Sequence, residues 1–119
     1  NQDIQLVSKK LVAFFKDAQQ RAISQDGGEQ WGVSSDNVVS ANDAGYMFNG
    51  ATFDNAELTM GLPNSVEFSD PSDGTVRDVV FAKITGLHGS AATVIIRLKS
   101  DTSTTKTITI NAQGTIQEN

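Results

Sequence analysis

The side chains able to do chemistry are few and scattered. His88 is the only histidine in 119 residues, and there is no cysteine. A thiolate nucleophile, a disulfide and a thiolate metal site are therefore excluded. His88 sits in Gly86-Leu87-His88-Gly89-Ser90, which reads as a tight turn between strands. One imidazole with no second histidine offers too few partners for a transition-metal site, so a solvated loop residue is the expected role. Asp70, Asp73 and Asp78 flank Gly74 in one stretch. An oxygen-rich loop of this kind can hold Ca2+, but the spacing lacks the alternation of an EF-hand. A turn built from Asp, Pro and Gly with solvated acids is expected, and Ca2+ at 70–78 is the one cofactor the residues leave open. Asp36, Asp43 and Asp54 are scattered through another loop and form a weaker group. Ser34-Ser35-Asp36 lies in no Gly-x-Ser-x-Gly elbow. Gly27-Gly28 precedes a strand pattern and not a helix, so it is no phosphate cradle. No enzyme constellation emerges.

Binding residues are equally sparse. Trp31 and Tyr46 can stack on a base or sugar, but fit more simply as core or groove-filling aromatics on successive strands. Arg77, Lys83, Arg97, Lys99 and Lys106 are the basic residues of the strand-rich half, and Asp78 and Asp101 interleave with them. The formal charge is −5. Residues 1–60 carry four Lys or Arg against eight Asp or Glu, and residues 61–119 carry five against six. Such a balance disfavours a phosphate backbone as partner and favours a solvated face of mixed charge.

The elements that must position these residues fall into two blocks. From residue 3 to about 25, Ile4, Val7, Leu11, Phe14, Phe15, Ala18 and Ala22 recur at spacings of three and four. That is the helical period, and it draws an apolar stripe along one side. Asp3 favours the helix start, Asp17 and Arg21 are placed to pair at i,i+4, and Gly27-Gly28 ends the helix. The narrowing from Phe14 and Phe15 to Ala18 and Ala22 lets the helix lie close to another element.

After Gly28 the periods shorten. Strands are predicted at 29–33, 45–49, 57–60, 65–69, 77–85, 93–99, 106–110 and 115–117, with a polar loop at 34–43 and turns at 70–74, 86–90 and 100–104. One helix followed by short hairpin-linked strands is an α+β layout with mainly antiparallel sheets. Val79, Phe81, Ile84, Val94, Ile96, Leu98, Ile108 and Ile110 supply one apolar face, and the helix is expected to lie across it. Phe14 and Phe15 are expected to contribute most, at about 2–3 kcal/mol each if fully buried. The longest apolar run is five residues, from Leu11 to Phe15, far below the roughly 20 that span a bilayer.

Several segments together resemble a known family. They are AxxRAISQ at residues 18–25, QWGV at 30–33, YMF at 46–48, VVFxxxTG at 79–86, VIIRL at 94–98 and TITINAQGTI at 107–116. In this order they resemble the globular part of the type IV pilin-like superfamily, and within it minor pilins and type II secretion minor pseudopilins. Residues 34–74 match least. The resemblance implies one pilin-like unit over 1–119, with 1–26 as the C-terminal half of the pilin helix and 29–117 as a β-rich head. The prepilin cleavage site and the apolar half-helix of the family are not in this sequence, so the chain is expected to be a soluble fragment that does not polymerise alone. The absence of a C-terminal disulfide fits a minor subunit better than a major pilin.

The implied function is structural: assembly into, or capping of, a type IV pilus or a type II secretion pseudopilus. Implied partners are other pilin or pseudopilin subunits and the inner-membrane assembly platform. Full-length protein would sit in the inner membrane with its head outside the cytoplasm. Lys9, Lys16 and Arg21 are the expected subunit-interface residues, and loops 34–55 and 70–74 are expected to face solvent or partners. The alternative is a pilus-tip module that captures DNA or a surface ligand. A stand-alone carbohydrate-binding β-domain explains the strands but not the helix stripe.

Overall fold

A computed structural model describes residues 2–24, 30–38, 42–50, 56–82 and 91–118. The helix α1 (Gln2–Ile23) precedes eight strands: β1 (Trp31–Asp36), β2 (Ala44–Asn49), β3 (Leu58–Gly61), β4 (Val66–Asp70), β5 (Val76–Phe81), β6 (Ala92–Leu98), β7 (Thr105–Ile110) and β8 (Ile116–Glu118). Every strand pair is antiparallel. The expected Gly27-Gly28 helix end, the His88 turn, Ile84, Lys83 and Asp54 lie outside the described residues.

The residues expected to share one apolar face are divided between two sheets. One sheet has the order β3-β2-β1-β5 and the other β4-β6-β7-β8. Successive elements alternate between them: the chain leaves the first sheet after β3, returns for β5 and leaves again for β6. The crossing after β4 carries a register shift between Phe68 and Asp70 and a cis Asp70-Pro71 bond.

α1 packs on both sheets. Ile4, Val7, Leu11, Phe15, Ala18 and Ala22 are buried in one core cluster with Val33, Met47, Val79 and Phe81 from the first sheet and Val94, Ile96, Ile108 and Ile110 from the second. The two alanines are completely buried, so the narrow end of the stripe does bring the helix close. Phe15 is fully enclosed, whereas Phe14 is half-buried and packs against the edge of the cluster. Phe14 lies 100° of helical rotation from Phe15 and so falls on the shoulder of the stripe. A Cβ on Gly45 would meet the Phe14 ring at 3.6 Å. That side of Phe14 therefore rests on bare β2 backbone.

The helix is also tied by polar contacts. The hydroxyl of Ser8, buried on the core side, donates to the Glu118 carboxylate. The Gln19 amide donates to the Gly114 carbonyl at 2.6 Å, and Ser65 donates to Asp3 at 3.0 Å.

β1 departs from the expected boundaries. It runs to Asp36, where a loop was expected from Ser34. Ser34 and Ser35 are poor strand formers by propensity, but β1 is a central strand with β2 on one side and β5 on the other. Tertiary pairing outweighs local preference there. Gly32 is required for close packing in this strand: a Cβ would stand 2.6 Å from the Val79 carbonyl and 2.8 Å from the Phe48 ring.

Candidate functional site

Two surfaces and one seam hold the functional candidates. The first surface is the outer side of α1. Lys9 and Lys16 are exposed there. They are seven residues apart, two turns along one face. Arg21 is elsewhere: it is half-buried, 3.2 Å from Asp17 and 5.0 Å above the centre of the Trp31 ring. The guanidinium lies within cation–π range of the indole while its Nε donates to the Asp17 carboxylate. Trp31 itself is buried, so it fills the core and holds Arg21.

Beside the start of α1 lies an apolar groove of about 380 Å³. Leu6, Val7, Met60 and Leu62 line it, with Asp3 and Lys10 at its rim. Leu6 is 54% exposed there.

The seam between the sheets is polar. Asp43, only 3% exposed, precedes β2 and reaches across to β4. One carboxylate oxygen accepts the Phe68 N–H at 2.7 Å and the other accepts the Val38 N–H at 2.8 Å. Burial pushes the Asp43 carboxyl up, and these two N–H groups pull it back in part. Asn37, equally deep, donates from its side-chain amide to the Phe68 carbonyl at 3.0 Å and the Pro71 carbonyl at 2.8 Å. Its backbone is held by Thr75 and Gly74. Phe68 thus presents both its N–H and its C=O to side chains of the opposite sheet. β4 is an edge strand, and these two residues cap its open side where a neighbouring strand would bond.

Arg77 completes the seam. It pairs with Asp70 at 2.6 Å and donates to the Thr93 carbonyl on β6. The three acids expected near Gly74 are thereby separated. Asp70 is engaged by Arg77, Asp73 lines a cleft, and Asp78 is exposed on β5 opposite Ser34. No group of three metal-ligating side chains gathers among the described residues.

The cleft opens at this seam and measures about 430 Å³. Asn37, Asn42 and Asp43 form one wall, Glu67, Arg97 and Lys99 the other, with Asp73 at the end. Glu67 and Arg97 are cross-strand partners joined at 2.7 Å. Asn37 and Asp43, the residues on which the seam depends, had no signal in the pattern beyond being polar and in a loop.

Neither protein-family models nor curated protein sequences match this chain. Solved structures do. The type IV minor pilin FimU of Pseudomonas aeruginosa, in one crystal form, superposes with a TM-score of 0.73 at 13% identity, covering 99% of this chain and 89% of FimU. A second crystal form gives 0.68 at 13% identity, covering 97% and 91%. The fold is the type IV pilin fold. At this identity the likeness lies in architecture: one helix laid over antiparallel sheets, as the pilin-like resemblance in the sequence implied. No helix among the described residues is long and apolar enough to cross a membrane.

Proposed function

We propose that the chain is a structural subunit of an extracytoplasmic filament, a minor pilin or minor pseudopilin that acts by assembly and not by catalysis. The observation that carries this reading is the superposition of 99% of the chain on a minor pilin. The division of the helix supports it. One side of α1 is consumed by the core, and the other presents Lys9 and Lys16 to water. In this reading those lysines meet neighbouring pilin or pseudopilin subunits, an apolar helical segment ahead of residue 1 anchors the subunit in the inner membrane, and the assembly platform there extrudes it into a type IV pilus or a secretion pseudopilus.

The test is cross-linking in the producing cell. Lys9→Cys and Lys16→Cys in the full-length protein should each cross-link to another filament subunit. The double charge reversal Lys9→Glu/Lys16→Glu should reduce filament number while the purified chain melts as wild type does. Normal filaments in a deletion strain, with no subunit cross-link at either cysteine, would overturn the reading.

A further inference from the structure

We propose that the cleft at the seam between the two sheets is a binding site for a neutral saccharide unit. Its volume, about 430 Å³, lies within the range of about 300–1,000 Å³ in which small ligands are held. The proposal stands apart from the filament reading, because it depends only on the walls of this cleft.

The walls divide into groups already engaged and groups that face the opening. Asp43 is engaged: both its oxygens accept backbone N–H groups. The Asn37 amide nitrogen is engaged by two carbonyls, and the Glu67 carboxylate by the Nε of Arg97. These bonds fix the walls before any ligand arrives, the condition for a preorganised site. What remains is a short list. The Asn37 side-chain oxygen accepts nothing among the described residues, although Asn37 is only 5% exposed. Asp73 and Lys99 make no ion pair among the described residues. The side-chain amide of Asn42 and the terminal nitrogens of Arg97 complete the set.

That set is balanced in two respects. Acceptors on Asn37 and Asp73 stand against donors on Lys99 and Arg97, and Asn42 offers both. The charges of Asp73 and Lys99 cancel, as do those of Glu67 and Arg97, which leaves only Asp43, whose two oxygens are both engaged by backbone N–H groups. An anion would meet Asp73 and Glu67, and a cation would meet Lys99 and Arg97. A flat apolar ligand would leave all of these groups without partners, at a cost of about 1–3 kcal/mol each once buried. A small zwitterion would pair with Asp73 and Lys99 but leave the Asn37 side-chain oxygen and the Asn42 amide without partners, so glycine is the competitor that separates it from a sugar. Hydroxyl groups donate and accept at once. A ring carrying several of them can bridge each acceptor to a neighbouring donor without bringing net charge.

Titration by saturation-transfer NMR tests this with the chain as it stands. The probes are glucose, galactose, mannose and N-acetylglucosamine, with glycine and glucuronate as charged competitors. At least one neutral sugar should receive saturation transfer. Asp73→Ala and Lys99→Ala, both at exposed positions, should each weaken its binding by about tenfold or more with unchanged melting temperature. Lys16→Ala, on the far helix face, should leave binding as in wild type. The proposal fails if no neutral sugar binds, if neither cleft variant weakens binding, or if glycine or glucuronate binds as tightly as the best sugar.

Discussion

The interface between the helix and the sheets and the seam between the two sheets are held in opposite ways. The first is built almost wholly of apolar side chains: Ile4, Val7, Leu11, Phe15, Ala18 and Ala22 against Val, Ile and Phe from both sheets. The second is built of side-chain to backbone hydrogen bonds from Asp43 and Asn37, with the Arg77–Asp70 ion pair beside them. Burial of apolar surface is non-directional and supplies stability. Hydrogen bonds to one particular N–H and one particular C=O supply register. The helix thus provides cohesion, and the seam decides how one sheet is set against the other.

The sharpest way to break this contrast is at Phe15. Phe15→Asp places a carboxylate in the fully enclosed centre of the cluster and is expected to cost more than about 4 kcal/mol, a large share of the roughly 5–15 kcal/mol that holds an ordinary domain. Circular dichroism melting would show it. A melting curve like that of wild type would mean the helix is not joined to the sheets through this face.

Asp43→Ala comes next. It leaves the Val38 and Phe68 N–H groups without acceptors and is expected to cost about 2–3 kcal/mol. Hydrogen exchange should accelerate first at Phe68 and its neighbours on β4, while the helix amides keep their protection. Uniform acceleration across both regions would show that the seam and the helix interface are one cooperative unit.

A smaller effect follows from the position of Asp43. Burial raises its carboxyl above the ordinary 3.8 in the folded chain. As pH rises from that value through the folded one, the native state holds more protons than the unfolded state, so stability falls across the window. Asp43→Asn has no carboxyl to titrate. Denaturant unfolding at several pH values should show the wild type losing stability relative to this variant as pH rises through the window. Parallel pH profiles would place the ionisation elsewhere.

The smallest effect belongs to the outer side of the helix. Lys16→Asp should change stability by less than about 0.5 kcal/mol, although it is the very next residue after the most damaging substitution. Equal melting for Phe15→Asp and Lys16→Asp would reverse the assignment of the two faces.

The two regions also differed in how much of them could be read from sequence. The helix stripe was legible because a period of 3.6 maps directly onto burial: of its seven residues, all but Phe14 are buried. The inward positions of β6 and β7 were legible through alternation. The seam was not, because patterns report on surfaces and Asp43 and Asn37 look like any loop residues. Nothing local says that a loop will be folded under a neighbouring sheet, where its polar groups must replace water. The same limit hid the end of β1, since Ser34 and Ser35 become strand through partners that lie ten or more residues away in sequence. It also hid Ser8, a hydroxyl on the apolar side of the helix whose acceptor is 110 residues distant. For the acids around Gly74, proximity along the chain was a poor guide. Arg77 takes one, the cleft another, and β5 turns the third outward.

The bonds from Ser8 to Glu118 and from Gln19 to Gly114 give the chain a particular order of events during synthesis. The helix leaves the ribosome before the strands, yet two of its anchors, Glu118 and Gly114, follow their helix partners by 110 and 95 residues. Until then, the greasy side of a finished helix has only part of its bed. A nascent chain halted at residue 113 would carry seven of the eight described strands and still lack both of these bonds.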